Sequence, residues 1–178
     1  MALHFSKEEF LSRSKKITKT MKNKGLDALL LFRQESMYWL TGYDTFGYVF
    51  FQCLVITSNE DKILLTRSAD LRQAQNTSDI KDIRIWVDKD KSNPAEELKN
   101  ILMELNLENK NIGIEYDAYG LTGKNTILLN KTLHNFAKLH DESLLITKHR
   151  LVKSDEEIKY VKKAAELADS ALEKGWEL

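Results

Sequence analysis

Six short segments of strand character recur along this 178-residue chain, and stretches of helical period or brief polar turns separate them. Such alternation admits few architectures, because strands joined through helices lie parallel in a sheet whose faces the helices cover. One connection differs. Only four or five polar residues, Ser58-Asn59-Glu60-Asp61 with Thr57 before them, separate the apolar run Tyr48–Ile56 from Lys62-Ile63-Leu64-Leu65-Thr66. That is too little chain for a crossover, so those two strands form an antiparallel hairpin. The expected fold class is α/β, with a mixed sheet covered by helices on both faces.

The individual elements follow from period and caps. Ser6 and Glu9 make a capping box before a helix that turns Phe10, Ile17 and Met21 to one face and stops at Gly25. Asp27–Arg33 is apolar without alternation, as a strand covered on both faces should be. A helical turn over Glu35–Leu40 ends at Gly42, and the β-branched and aromatic run Tyr48–Ile56 reads as a central strand. A helix from Ser68 covers Ala69–Gln75, and Ile83–Val87 alternates as a half-buried strand. Asn93-Pro94 then opens a helix with Leu98, Ile101, Leu102 and Leu105 inward. Asn111–Glu115, a helix over Leu121–Leu133 and a weaker strand near Asn135–Leu139 complete the series. Last, Asp155–Lys174 aligns Ile158, Val161, Ala165, Ala168 and Leu172 into an apolar stripe about 30 Å long. A stripe of that kind needs a partner, which can be the α/β body, a second subunit or further sequence.

Composition removes several function classes. Lys plus Arg and Asp plus Glu both number 27 and are scattered, so no basic field exists to hold nucleic acid or anionic lipid. The chain opens with charged residues too early for a signal peptide, and no apolar stretch approaches the roughly 18 residues that span a bilayer. The single Cys53 lies in an apolar strand and excludes an intrachain disulfide. A cytoplasmic protein with no nucleic-acid or membrane partner is expected. No His-x-x-x-His, His-Glu-x-x-His, Cys-x-x-Cys, Gly-x-Ser-x-Gly or Walker pattern occurs, so no metal site, catalytic residue or nucleotide loop is expected within the chain. His4, His134, His140 and His149 read as surface or cap residues, and Trp39, Trp86 and Trp176 as packing anchors.

Two loops stand out. Gly42-Tyr43-Asp44-Thr45-Phe46-Gly47 presents aromatics and a carboxylate together before the most apolar strand, where an amine or amidinium could be received. The plainer reading has the glycines making turns, Asp44 capping a backbone group and the aromatics folding onto the core. Tyr116-Asp117-Ala118-Tyr119-Gly120 has the same two readings, with Thr122 as a helix cap behind it. Arg67 and Asp70 flank a helix start and are expected to pair with each other or with its termini.

Several strings resemble one family. Met37-Tyr38-Trp39-Leu40-Thr41-Gly42-Tyr43, Leu64-Leu65-Thr66-Arg67 and Ile112-Gly113-Ile114-Glu115 resemble the amino-terminal domain of the Xaa-Pro dipeptidases, aminopeptidase P and creatinase. Arg150–Ile158, leading into Ala164–Asp169, resembles the junction with that family's catalytic domain. Tyr43–Gly47, Asp70–Ala74 and Glu115–Thr122 look most like the ectoine hydrolase branch. A creatinase is less well matched, since no arginine occurs between Arg33 and Arg67. The resemblance implies a creatinase/prolidase-type domain over residues 1–150, with 151–178 as linker and first helix of a catalytic domain that this chain lacks. It implies two divalent metal ions held only in that absent domain, no cofactor here, and no activity from this chain alone. It further implies a homodimer in which Tyr43, Asp44, Phe46 and Tyr48 contact substrate, a small molecule or dipeptide, once the catalytic domain is present. The alternative is a free-standing binding or interaction module with the same fold and no hydrolase activity.

Overall fold

Glu9 N–H donates to the Ser6 hydroxyl at 3.1 Å, and helix α1 (Lys7–Lys24) starts where the capping box predicts. It ends at Gly25 in the left-handed conformation, φ 67°. This computed structural model describes residues 3–176. Strand β1 (Ala28–Leu31) follows, then α2 (Gln34–Thr41), β2 (Cys53–Thr57), β3 (Lys62–Arg67) and, after a 3-10 turn, α3 (Leu71–Thr77). Next come β4 (Asp82–Trp86), α4 (Pro94–Glu104), β5 (Asn111–Ile114), α5 (Gly123–Leu133), β6 (Lys138–Asp141), α6 (Leu145–Arg150) and α7 (Asp155–Trp176). Asn93 and Thr122 cap α4 and α5 through their side chains.

The strands form one six-stranded sheet in the order β4-β3-β2-β1-β5-β6. β1 pairs antiparallel with β2, and β2 with β3, while the β1–β5, β3–β4 and β5–β6 pairs are parallel. The mixed sheet is thus as expected, and period two explains why β1 has no polar face. Leu30 joins a core layer with Val55, Leu65, Leu98 and Leu129 under α4 and α5. Leu29 and Leu31 join the opposite layer with Ile17, Leu40 and Leu54 under α1 and α2.

Three expectations need correction. The run Tyr48–Ile56 is not one strand: β2 begins at Cys53, and Phe50 N–H instead closes a turn onto Gly47 O at 2.9 Å. The reason is a missing neighbour. The β1–β2 register reaches only Leu31 opposite Leu54, because the chain beyond Leu31 leaves the sheet for α2. Residues 48–52 therefore have no strand to pair with, and Tyr48, Val49 and Phe50 remain partly exposed. The strand expected near Asn135–Leu139 starts at Lys138, since Asn135 has φ 61° and cannot extend. Trp176 is 82 % exposed and packs no core.

Gly42 illustrates how tightly α2 is terminated. Its φ is 79°, and a Cβ there would lie 3.0 Å from Thr77 O and 3.2 Å from the Phe10 ring. Gly42→Ala is expected to cost about 1–2 kcal/mol and more than Gly25→Ala, whose Cβ would meet nothing within 4 Å. Urea denaturation of the two variants checks the order.

The described residues up to Ile146 form one compact unit and those from Thr147 a second. In the second, Glu157 N–H donates to Ser154 Oγ at 3.2 Å and Ser154 N–H to Glu157 Oε2 at 2.8 Å, a reciprocal capping box that opens α7. α7 keeps the predicted stripe and buries none of its residues.

Candidate functional site

The segment between α2 and β2 is held from within. The Tyr43 hydroxyl donates to Gln52 Oε1 at 2.9 Å and lies 3.2 Å from Thr66 Oγ1. Gln52 Nε2 donates to Thr45 Oγ1 at 3.2 Å and to Asp70 Oδ2 at 3.3 Å. Asp70 also accepts from Arg67 Nε at 2.8 Å, the pairing expected from the sequence. All three polar positions of the Gln52 amide are satisfied although the residue is buried, which is the condition for a polar cluster to specify one conformation. Burial pushes the Tyr43 phenol above its ordinary value, so it remains a donor throughout the physiological range.

On the outside of this frame stand Asp44, Phe46 and Tyr48. Asp44 is exposed, and the bonds that tie it use its backbone: its N–H donates to Thr77 Oγ1 at 3.2 Å, and its C=O accepts from the same hydroxyl at 3.4 Å. Its carboxylate forms no ion pair among the described residues. Phe46 is 87 % exposed. The Tyr48 ring meets that of Tyr119 edge-on, with centroids 6.0 Å apart, so the second loop joins the first. Gly120 makes that approach possible, since a Cβ there would fall 2.4 Å from Phe50 O. Of the four residues expected to face substrate, Asp44, Phe46 and Tyr48 are exposed, while Tyr43 is wholly buried and anchors the loop.

Beside Tyr119 lies an open cleft of about 420 Å³, lined by Arg33, Glu35, Tyr116, Asp117 and Ala118. Arg33 closes one wall by donating to Asp117 Oδ2 at 2.7 Å. Beneath it, fully buried Glu115 accepts from Phe32 N–H at 3.2 Å, from Arg33 N–H at 2.9 Å and from Ser36 Oγ at 2.6 Å. Burial raises its carboxyl above the usual range, although these hydrogen bonds oppose the shift. Sequence reasoning passed over Glu115 and Gln52. The one available signal was a polar residue at the end of an apolar run, for Glu115, or inside one, for Gln52, where a bland strand would place another apolar side chain.

No group of three or more His, Cys, Asp or Glu converges to hold a metal ion among the described residues. Cys53 is buried, and desolvation lifts its thiol well above the ordinary value, which leaves an inert core residue. No helix among the described residues is long and apolar enough to cross a membrane. What this end of the sheet offers chemically is an exposed carboxylate on the same loop as two exposed aromatic rings, groups of the kind that meet a cation.

Comparison with known proteins agrees with this fold. The family profile of the Creatinase/Prolidase N-terminal domain matches residues 13–152. The chain is 27 % identical over 174 residues to the ectoine hydrolase of Halomonas elongata, covering 94 % of this chain and 43 % of that protein. An uncharacterised hydrolase/peptidase of Sinorhizobium fredii is likewise 27 % identical, over 99 % of this chain and 46 % of the relative. A dipeptidase from Pyrococcus horikoshii superposes with a TM-score of 0.75 at 24 % identity, over 93 % of this chain and 44 % of that one. The prolidase of Thermococcus sibiricus gives 0.78 at 22 %, over 95 % and 44 %. These two structural likenesses speak to the fold alone. The chain thus spans less than half the length of these relatives. By the profile's match over residues 13–152, most of its length, the chain belongs to the creatinase/prolidase N-terminal domain family.

Proposed function

We propose that this chain is the non-catalytic amino-terminal part of a metal-dependent C–N hydrolase of the Xaa-Pro dipeptidase and creatinase type. It serves a homodimer and completes a substrate pocket with Asp44, Phe46 and Tyr48. The observation that carries this reading is the loop itself: a buried polar frame holds out the Asp44 carboxylate and the Phe46 ring and uses neither for its own support, while the Tyr48 ring beside them rests on Tyr119. Such a surface favours a substrate with a cationic or amidine group, as the similarity to an ectoine hydrolase also suggests. In this reading the two divalent ions of such an enzyme belong to sequence outside this chain. No chemical step is assigned to the residues present.

The test is Asp44→Ala in the protein that carries the catalytic part. KM for a cationic substrate is expected to rise about tenfold, the worth of a charge-assisted contact, with kcat and thermal stability nearly unchanged. A loss of about 1 kcal/mol in stability with unchanged KM would make Asp44 a structural cap instead. The 178-residue chain alone is expected to turn over neither ectoine nor an Xaa-Pro dipeptide, and turnover by it would overturn the proposal.

A second reading draws on α7, which leaves Val161, Leu167 and Leu172 exposed. It makes the chain a free-standing module that associates through that helix. An open reading frame past Leu178 carrying Asp, His and Glu ligands decides for the first reading, and a stop codon there for the second.

A further inference from the structure

Resting on the reading of the Asp44–Tyr48 loop as a recognition surface, we infer that Arg67 is its positioning residue. Arg67 ends β3 and joins the buried frame to the exposed rings. Its Nε donates to Asp70 Oδ2 at 2.8 Å, and its guanidinium carbon lies 3.5 Å from the centroid of the Phe50 ring. The side chain is only 17 % exposed, so both contacts are shielded from water and from salt.

The loop is gripped from two sides. On one, Gly47 presses on the frame so closely that a Cβ would fall 2.1 Å from Gln52 Nε2 and 2.6 Å from Asp70 Oδ2. On the other, Gly120 lies against Phe50 O and Tyr48 O. Between them Phe50 follows a turn closed by its own N–H onto Gly47 O, and it has no strand partner to hold it. The Arg67 stack supplies that hold. A planar guanidinium does this better than an ammonium, because it lies flat on the ring while its edge donates to the carboxylate.

Arg67 also leaves the charge of the surface to Asp44. Its positive charge is engaged by Asp70, so it does not neutralise Asp44, and the loop presents a net negative, aromatic face. Arg67 therefore governs the order of the loop, and through that order how its exposed groups meet a cation, while touching no ligand.

Hydrogen exchange and NMR titration of the 178-residue chain test this with Arg67→Met, which keeps an apolar stem on Phe50, and Arg67→Lys, which keeps the charge. In Arg67→Met, exchange of amides 44–51 is expected to accelerate at least ~10-fold while β1 and β2 amides change less than ~2-fold. The Tyr48–Tyr119 ring contact should be lost. Arg67→Lys is expected to recover most of the protection, within ~3-fold of the parent chain. Acetamidinium, but not acetamide, is expected to shift the Asp44, Phe46 and Tyr48 signals saturably in the parent chain and ~5-fold more weakly in Arg67→Met. Unchanged exchange at 44–51, or acceleration spread equally over β1 and β2, overturns the positioning role. Absence of saturable shifts in the parent chain overturns the recognition reading itself, and with it the purpose assigned to Arg67, whatever the exchange shows.

Discussion

Arg13→Ala is expected to lower the stability of the chain by about 3–5 kcal/mol. Arg13 sits in α1 with 1 % of its side chain exposed, donating Nε to Glu9 Oε1 at 3.0 Å and Nη1 to Trp39 O at 2.8 Å. Its guanidinium also lies over the Phe5 ring at 4.2 Å and the Trp39 ring at 5.1 Å. Truncation leaves the Trp39 carbonyl and the largely buried Glu9 carboxylate without this donor, and it opens a void between α1 and α2. Arg13→Met fills the void and supplies no donor, so it should lose less than the alanine variant. Urea unfolding at constant m-value measures both. A cost below about 1 kcal/mol for alanine would show that solvent reaches the site and that the packing around the guanidinium is looser than described. The consequence extends to the recognition loop, because the arginine secures the last turn of α2, from which Gly42 and Tyr43 emerge.

Glu115→Ala is expected to cost about 3 kcal/mol, since three buried or part-buried donors, Phe32 N–H, Arg33 N–H and Ser36 Oγ, lose their acceptor at once. Those donors form the entry to α2, which has no side-chain cap of its own. A carboxylate from the end of β5 therefore does the work of an N-cap for a helix some eighty residues earlier in the chain. Glu115→Gln should be milder, because its oxygen can face the two backbone donors and its amide nitrogen can donate to the serine.

The two acid forms of Glu115 also differ with pH. Burial raises its folded value above the ordinary 4.5, so folding penalises the ionised form relative to the neutral one. The stability it contributes is fully present below that ordinary value and is lost as the pH rises through the raised folded value. The stability of the parent chain relative to Glu115→Gln is accordingly expected to fall between acid and neutral pH. Thermal melts of the two across that window check the sign, and a relative gain in the parent would contradict it.

Much of this architecture is legible along the chain, for a reason visible in the caps. Ser6 to Glu9, Asn93 to Ala95 and Thr122 to Asn125 each act over two or three positions, and Gly25 and Gly42 end helices by their own backbone freedom. The β2–β3 hairpin is equally local. The strand that was overextended, Tyr48–Ile56, fails because its length depends on where β1 ends, which the run itself does not encode. The six-residue α6 escaped notice because it is too short to show a period and buries only Leu145 and Ile146.

At the candidate site the same division holds. Composition marks the loop by its glycines, aromatics and single acid, and the Arg67–Asp70 pair is three residues apart and readable as such. Which aromatic turns inward is another matter: Tyr43 is buried and Phe46 exposed because the phenol finds Gln52 and Thr66, partners 9 and 23 residues away. Sequence by itself determined most of the elements, the local caps and the mixed sheet, since these depend on period and on groups a few bonds apart. Only the tertiary structure decided what Arg13, Gln52 and Glu115 do. A buried polar group is tolerated solely where distant segments bring it partners, and that meeting exists only once the chain is folded.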